Sequence, residues 1–213
     1  PGHNEEKSIG QVIEKAKKFA AAGKIVVVDD GSRAGTAAEA GRHGVTVLRH
    51  AINLGKGAAL RTGGQYSSRR GAQALVFMDS DGQHDPEDLP RLLEALKDND
   101  IVFTYRERKS VNMPIVKKFG NWFIDATMRM LFHINVKDTQ CGYKTMTRAA
   151  YEKMQLMSND YSIESEIAAK TGKYKLKFTQ LPIKTVYADR YKGTTVFDGV
   201  KIVLKMLWWK AAR

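Results

Sequence analysis

The sequence predicts an α/β protein, a mostly parallel sheet flanked by helices and followed by a C-terminal amphipathic helix. Three observations carry this. Short apolar runs, continuous rather than alternating in polarity, recur between segments of helical spacing, as in strands buried on both faces. Two of those runs, "VVVDDGS" and "FMDSDG", stop at paired acids, and ligands gather at the carboxyl ends of strands in open sheets of this kind. The 213 residues, 43% of them hydrophobic, hold no internal repeat or low-complexity linker and suffice for one full-sized core.

The elements follow in order. Helical spacing from Glu6 to Ala22 leads through Gly23 into the strand "KIVVVDDGS". A helix near Thr36 to His43 precedes the strand "GVTVLRH", and "NLGKGAALRTGGQYSS" returns to helical spacing. "ALVFMDSD" is the next strand, "PEDLPRLLEALK" the next helix and "DIVFTY" the next strand. A long helical segment then runs from Met113 to His133, followed by a polar loop at Asp138 to Lys144, two short helices and a strand pair near Lys175 to Tyr187. The closing helix, Thr194 to Lys210, sets lysines on one side and bulky apolar residues on the other. The chain opens at "PGHNEE", so a first strand is expected ahead of Pro1. Residues 1–193 read as one catalytic-sized domain and 194–213 as an extension.

The formal charge of +12 suits nucleic acid, anionic lipid headgroups or phosphorylated small molecules. A nucleic-acid module needs clustered Lys and Arg interleaved with exposed aromatics. Here the positive charge is spread along the chain and acids occupy the strand ends, so no nucleic-acid partner is expected. One cysteine, Cys141, excludes an internal disulfide framework and a thiolate zinc cluster, and fits a reducing compartment as a small buried residue. The five histidines include no pair at helical metal-ligand spacing. No uninterrupted apolar run is long enough to cross a bilayer.

The acid-rich window "FMDSDGQHDPEDLPRLL" divides in two. Asp85 followed by Pro86 is a helix N-cap and first turn, with Glu87 and Asp88 favourable beside it. Asp79 and Asp81 lie close together at a strand end, where like charges are costly unless a cation joins them. A hard divalent ion, held by one or two carboxylates and by diphosphate oxygens, answers that need.

Five segments then resemble glycosyltransferase family 2, in its dolichol-phosphate mannose and glucose synthase branch: "PGHNEE", "VVVDDGS", "NLGKGAALRTG", "DSDGQHDPED" and "DTQCGYK". The resemblance implies a GT-A fold and roles for individual residues. Pro1, His3 and Glu5 would line the base pocket, His3 standing where the family usually has a stacking tyrosine. Asp29 and Asp30 would accept hydrogen bonds from base or ribose, although "DDG" alone is equally an ordinary strand-to-loop turn. Asp79 would meet ribose or metal with Ser80 beside it, and Asp81 with Gln83 would hold Mg²⁺ or Mn²⁺ against the diphosphate. Lys56 lies in a glycine-rich helix start without P-loop spacing, so direct donor contact and close packing on the sheet both stay open. Glu164 would touch the donor sugar; Glu166, two residues on, faces elsewhere.

The same resemblance implies an inverting transfer of a hexose from UDP-glucose or GDP-mannose to a polyprenyl or dolichyl phosphate. Arg106, Arg190 and Lys192 would receive the acceptor phosphate. A sugar hydroxyl acceptor would instead require a carboxylate base, for which Asp138 is the candidate. A sugar nucleotidyltransferase is disfavoured because "PGHNEEKSIG" lacks that class's glycine-rich, Arg- and Lys-bearing signature. A lipid-linked acceptor is met at a membrane surface, and the helices carrying Trp122, Trp208 and Trp209 suit the interface. The expected location is cytoplasmic, peripheral on the cytoplasmic face.

Overall fold

The computed structural model describes residues 1–33, 35–106, 115–184 and 196–211, with the side chains of 115–121 and 196–200 outside that description. Its first half is the expected alternation: α1 (Ile9–Lys17), β1 (Val26–Asp29), α2 (Thr36–Arg42), β2 (Thr46–Arg49), α3 (Lys56–Arg69), β3 (Ala74–Phe77), α4 (Leu89–Leu96) and β4 (Ile101–Arg106). The second half adds α5 (Ile115–Phe132), β5 (Lys144–Thr147), α6 (Arg148–Met154), α7 (Ser162–Lys173), β6 (Phe178–Ile183) and α8 (Val196–Ala211).

β1 and β2 pair in parallel, and the remaining strands form a second sheet in the order β3-β5-β4-β6. β4 and β6 are parallel, while β5 runs antiparallel between β3 and β4. β3 and β4 therefore point the same way, and their carboxyl ends open on one edge. Helices flank a mostly parallel sheet, as the sequence predicts, with β5 the exception. "KTMT" carries no apolar run, so it reads as loop and helix rather than as a central strand. Its burial rests on pairing along both edges and on a partner for Lys144. Likewise, the expected strand pair near Lys175 is one strand, β6, among the described residues.

Local chemistry explains the element ends. Asp85 caps the turn Pro86–Asp88 by accepting the Glu87 backbone N–H at 3.1 Å. Leu89, Leu92 and Leu96 then turn inward along α4. The main core lies between the second sheet and the helices, with Phe103, Met128, Met146, Ile163, Ile167, Ile202 and Met206 all buried. Each such side chain contributes roughly 1.5–3 kcal/mol by leaving water. α8 packs on α5 and α7 through Ile202 and Met206. Its apolar residues are not confined to one side, because Leu204, Leu207 and Trp208 face outward beside Lys201.

Candidate active site

The carboxyl end of β3 turns at Met78 into Asp79-Ser80-Asp81. Ser80 Oγ donates to the Pro1 carbonyl at 2.8 Å, and Ser8 Oγ donates to the Ser80 carbonyl at 2.9 Å. Gly2 bonds β1 on its other side, donating from N to the Val28 carbonyl and accepting from Asp30 N. The "PGHNEE" segment thus joins the ends of β1 and β3, bringing three of the five motifs to one place.

The two carboxylates there differ. Lys56 Nζ donates to Asp79 Oδ2 at 2.8 Å, and His84 Nε2 lies 3.8 Å from the same oxygen. Burial alone would raise Asp79, but the Lys56 ammonium, with His84 beside it, outweighs burial and holds the carboxyl well below its ordinary range. Asp81 is pushed upward by burial and by the Asp79 charge, which outweigh the Gln83 backbone N–H donating at 3.0 Å and the nearby His84. Asp81 is therefore a partly exposed carboxylate whose negative charge is poorly accommodated.

Lys56, the first residue of α3, also lies 2.8 Å from Glu164 Oε1. Burial opposes its charge, yet Asp79 and Glu164 together hold the ammonium above the ordinary lysine range. Glu164 sits in the first turn of α7, and its second oxygen pairs with Lys144 Nζ. Lys144 is 1% exposed and lies opposite Phe77 on β3 and Phe103 on β4. Glu166 points away, accepting the backbone N–H groups of Met157 and Ser158. The close-packing reading of "NLGKG" describes its glycine, and its lysine turns to the acids. Gly55, at φ +98°, approaches the Asn159 carbonyl so closely that a Cβ would lie 2.4 Å from it, while Lys56 reaches the acid.

Asp29 and Asp30 spend their carboxylates on the protein. Asp29 Oδ1 accepts Ser32 N at 3.1 Å and also its hydroxyl, with Arg49 Nε 3.3 Å from Oδ2. Asp30 Oδ1 accepts Leu54 N at 2.9 Å and faces His50 Nδ1 at 2.7 Å; Oδ2 accepts Gly55 N at 2.8 Å. This geometry favours the turn reading of "DDG". His3 donates from Nδ1 to the Asp30 carbonyl at 2.9 Å, leaving its exposed ring at the mouth between β1 and the first loop. Glu5 anchors the segment through its backbone N–H, which donates to Thr36 Oγ1 at 3.0 Å.

At the end of β4, Arg106 grips Asp138 with two bonds, Nε to Oδ2 at 2.7 Å and Nη2 to Oδ1 at 3.0 Å. Beside it opens a cavity of about 400 Å³ whose lining includes Trp122, Asp125, Arg129 and Lys137. Cys141 is buried, its thiol pushed up to about 11 by that burial, which suits packing rather than chemistry. Arg190 and Lys192 lie outside the described residues. Sequence reasoning missed Lys144, Arg129 and Lys137. Lys144 ends the "DTQCGYK" motif, and that placement was the available signal.

Among the described residues no three His, Cys, Asp or Glu side chains are placed to hold a metal. An ion here would rest on Asp81, with Gln83 two residues on, and on oxygens of a bound diphosphate. Divalent magnesium commonly binds through so few protein ligands, and the crowded negative charge at Asp81 fits it.

The architecture is that of the GT-A glycosyltransferases. Glucosyl-3-phosphoglycerate synthase from Mycobacterium tuberculosis, solved with Mn²⁺, UDP-glucose and phosphoglyceric acid, aligns at TM-score 0.76 over 100% of this chain and 78% of that one. At 18% identity that likeness is one of fold. The sequence pattern of Glycosyl transferase family 2 matches residues 1–155, and the chain belongs to that family. It is a glycosyltransferase. It is 28% identical to the UDP-N-acetylglucosamine–dolichyl-phosphate N-acetylglucosaminyltransferase of Methanococcus voltae, over 100% of this chain and 95% of that protein. It is 29% identical to the undecaprenyl-phosphate mannosyltransferase of Micrococcus luteus, over 100% and 93% respectively.

Proposed function

We propose that this enzyme moves a hexose, with inversion, from a nucleotide sugar to a polyprenyl or dolichyl phosphate, using Mg²⁺ or Mn²⁺. The observation that carries the acceptor class is the Arg106–Asp138 pair. A hydroxyl acceptor needs a carboxylate to take its proton, and the candidate, Asp138, has both oxygens held by a guanidinium. A phosphate acceptor is already an anion and needs positive charge instead. Arg106, oriented at the end of β4 by Asp138, presents guanidinium donors to it, and Arg190 and Lys192 supply the net positive charge. The two relatives named above carry dolichyl phosphate and undecaprenyl phosphate in their names and differ in the sugar. They support the acceptor class and leave UDP- and GDP-linked hexoses both in play as donors.

The residues divide the work. Pro1, His3 and Glu5 border the base, Asp79 and Ser80 set the turn beneath the ribose, and Glu164 fixes Lys56 beside the sugar-diphosphate. A divalent ion on Asp81 and Gln83 would neutralise the leaving diphosphate. Arg106 turns the acceptor phosphate toward the sugar carbon, and one displacement on that carbon inverts it.

Exposed apolar side chains on two neighbouring helices support a membrane-surface position: Trp122, Phe123 and Met130 on α5, and Leu204, Leu207 and Trp208 on α8. No helix among the described residues is long and apolar enough to cross a membrane. On this reading residues 1–193 are the catalytic domain, and 194–213 form the interfacial element on the cytoplasmic face.

The test is transfer of labelled sugar from UDP-glucose, GDP-mannose or UDP-N-acetylglucosamine to a short-chain polyprenyl phosphate with Mn²⁺. Lipid-linked product from one donor, lost in Asp81→Ala and Arg106→Ala, is the expected result. Product only on a sugar hydroxyl, with Asp138→Asn inactive, would overturn the acceptor assignment.

A further inference from the structure

Four alternating charges run inward from the end of β3: Asp79, Lys56, Glu164 and Lys144. They come from four elements, β3's end, α3, α7 and β5, and each inner member pairs with both neighbours. Lys144 takes one oxygen of Glu164, so Glu164 offers Lys56 only the other, and Lys56 remains bound to Asp79 as well. The "DTQCGYK" segment closes over this pair. A Cβ on Gly142 would lie 2.0 Å from Asp79 Oδ2 and 2.8 Å from Lys56 Nζ, so that oxygen has protein on one side and an ammonium on another. Asp81 is different, since among the described residues no ion pair reaches it. Two carboxylates separated by a single serine thus have unlike environments, one neutralised by the protein and one left to find a cation.

We propose that Lys56 is a resident counter-ion for Asp79, a positioning residue that keeps this carboxylate from the divalent cation and leaves metal binding to Asp81 and Gln83. This rests on the reading of the site as the metal end of a nucleotide-sugar pocket. Lys144 and Glu164 serve the same end by fixing Lys56. The arrangement gives the metal a weak protein site that the donor's own phosphates complete, so metal and nucleotide bind together.

The test is Mn²⁺ binding to nucleotide-free protein, followed by the electron paramagnetic resonance signal of the free ion. In Lys56→Met the released Asp79 becomes a second carboxylate ligand, and Mn²⁺ binding tightens by about ten-fold or more. A merely structural lysine would not produce a gain in affinity. In Lys56→Met/Asp79→Asn a neutral pair replaces a neutral pair, and affinity stays within about two-fold of wild type. The double variant decides alone if the single one fails to fold. A loss of about ten-fold or more in the double variant would make Asp79 a metal ligand and overturn the proposal, as would unchanged affinity in a folded Lys56→Met. If the wild type binds no Mn²⁺ even with UDP present, the metal reading of the site fails and this proposal with it.

Discussion

Replacing Gly142 with alanine separates the chemistry of the site from the stability of the fold. The added Cβ would stand 2.0 Å from Asp79 Oδ2 and 2.7 Å from Asp79 Cγ, against an ordinary contact of at least 3.4 Å. The carboxylate must retreat by about 1.4 Å, or the segment at 142 must lift by as much. Asp79 cannot retreat without loosening Lys56, whose Nζ would itself be 2.8 Å from the new atom. Overpacking of this kind costs roughly 1–3 kcal/mol, a fall in Tm of roughly 2–12 °C for a chain of this size. Displacement of a reacting geometry by about 1 Å costs about 10²-fold in rate. Gly142→Ala should therefore fold, melt somewhat lower and transfer sugar about a hundred-fold more slowly. The assay is initial-rate transfer beside thermal denaturation. Gly41→Ala serves as control, since a Cβ there meets nothing within 4 Å and the helix should gain roughly 0.5–1 kcal/mol. A wild-type rate in folded Gly142→Ala would refute the claim that this segment presses Asp79 and Lys56 into place.

Lys144→Met should destabilise by roughly 3 kcal/mol in urea unfolding, because a buried carboxylate loses one of its two cations; a change below about 1 kcal/mol would show that Glu164 needs no second partner. Asp81→Asn should stabilise the metal-free protein by roughly 0.5–2 kcal/mol at neutral pH. The sign follows from its raised carboxyl: the folded state holds that proton more tightly, so stability falls as pH rises through the raised value, and asparagine removes the fall. Melting of both proteins at steps from pH 3.5 to pH 8, with and without Mn²⁺ plus UDP, checks both parts; ligand should favour wild type alone. Trp122→Ala/Trp208→Ala should lose vesicle binding by about ten-fold or more while the Tm holds, since both rings are half exposed or more.

Much of the first half was legible because its signals are local. Continuous apolar runs gave β1 and β3, the Asp85-Pro86 pair gave the start of α4, and acids at strand ends marked the carboxyl edge. What was hidden depends on partners distant in sequence. Nothing in "KTMT" announces a central strand, because Lys144 enters the interior only with Glu164, twenty residues later. Asp29 and Asp30 look free in the sequence, yet Ser32, Arg49, His50 and the loop at Leu54–Gly55 absorb them. The closing helix was read as two-sided, but burial by α5 and α7 selects Ile202 and Met206 and leaves Leu204, Leu207 and Trp208 outward.

The charge balance of the site explains how so basic a chain gathers acids without spoiling a phosphate pocket. Asp79, Lys56, Glu164 and Lys144 cancel in pairs, as do Arg106 and Asp138, so none of these acids repels an incoming phosphate as a free charge would. Asp81 is the carboxylate left over among these groups. Alone it repels diphosphate, and burial makes that repulsion expensive. On the proposed reading a divalent ion would convert it into net positive charge, and the donor's oxygens would complete the ion's shell. Binding of metal and of nucleotide should therefore be mutually dependent, each tightening the other by the same factor, because linkage between two sites is reciprocal. The cancelled pairs have a second consequence. They fix the positions of four elements without adding net charge, so the overall charge of +12 is left to the rest of the molecule, where an anionic acceptor and an anionic surface would meet it.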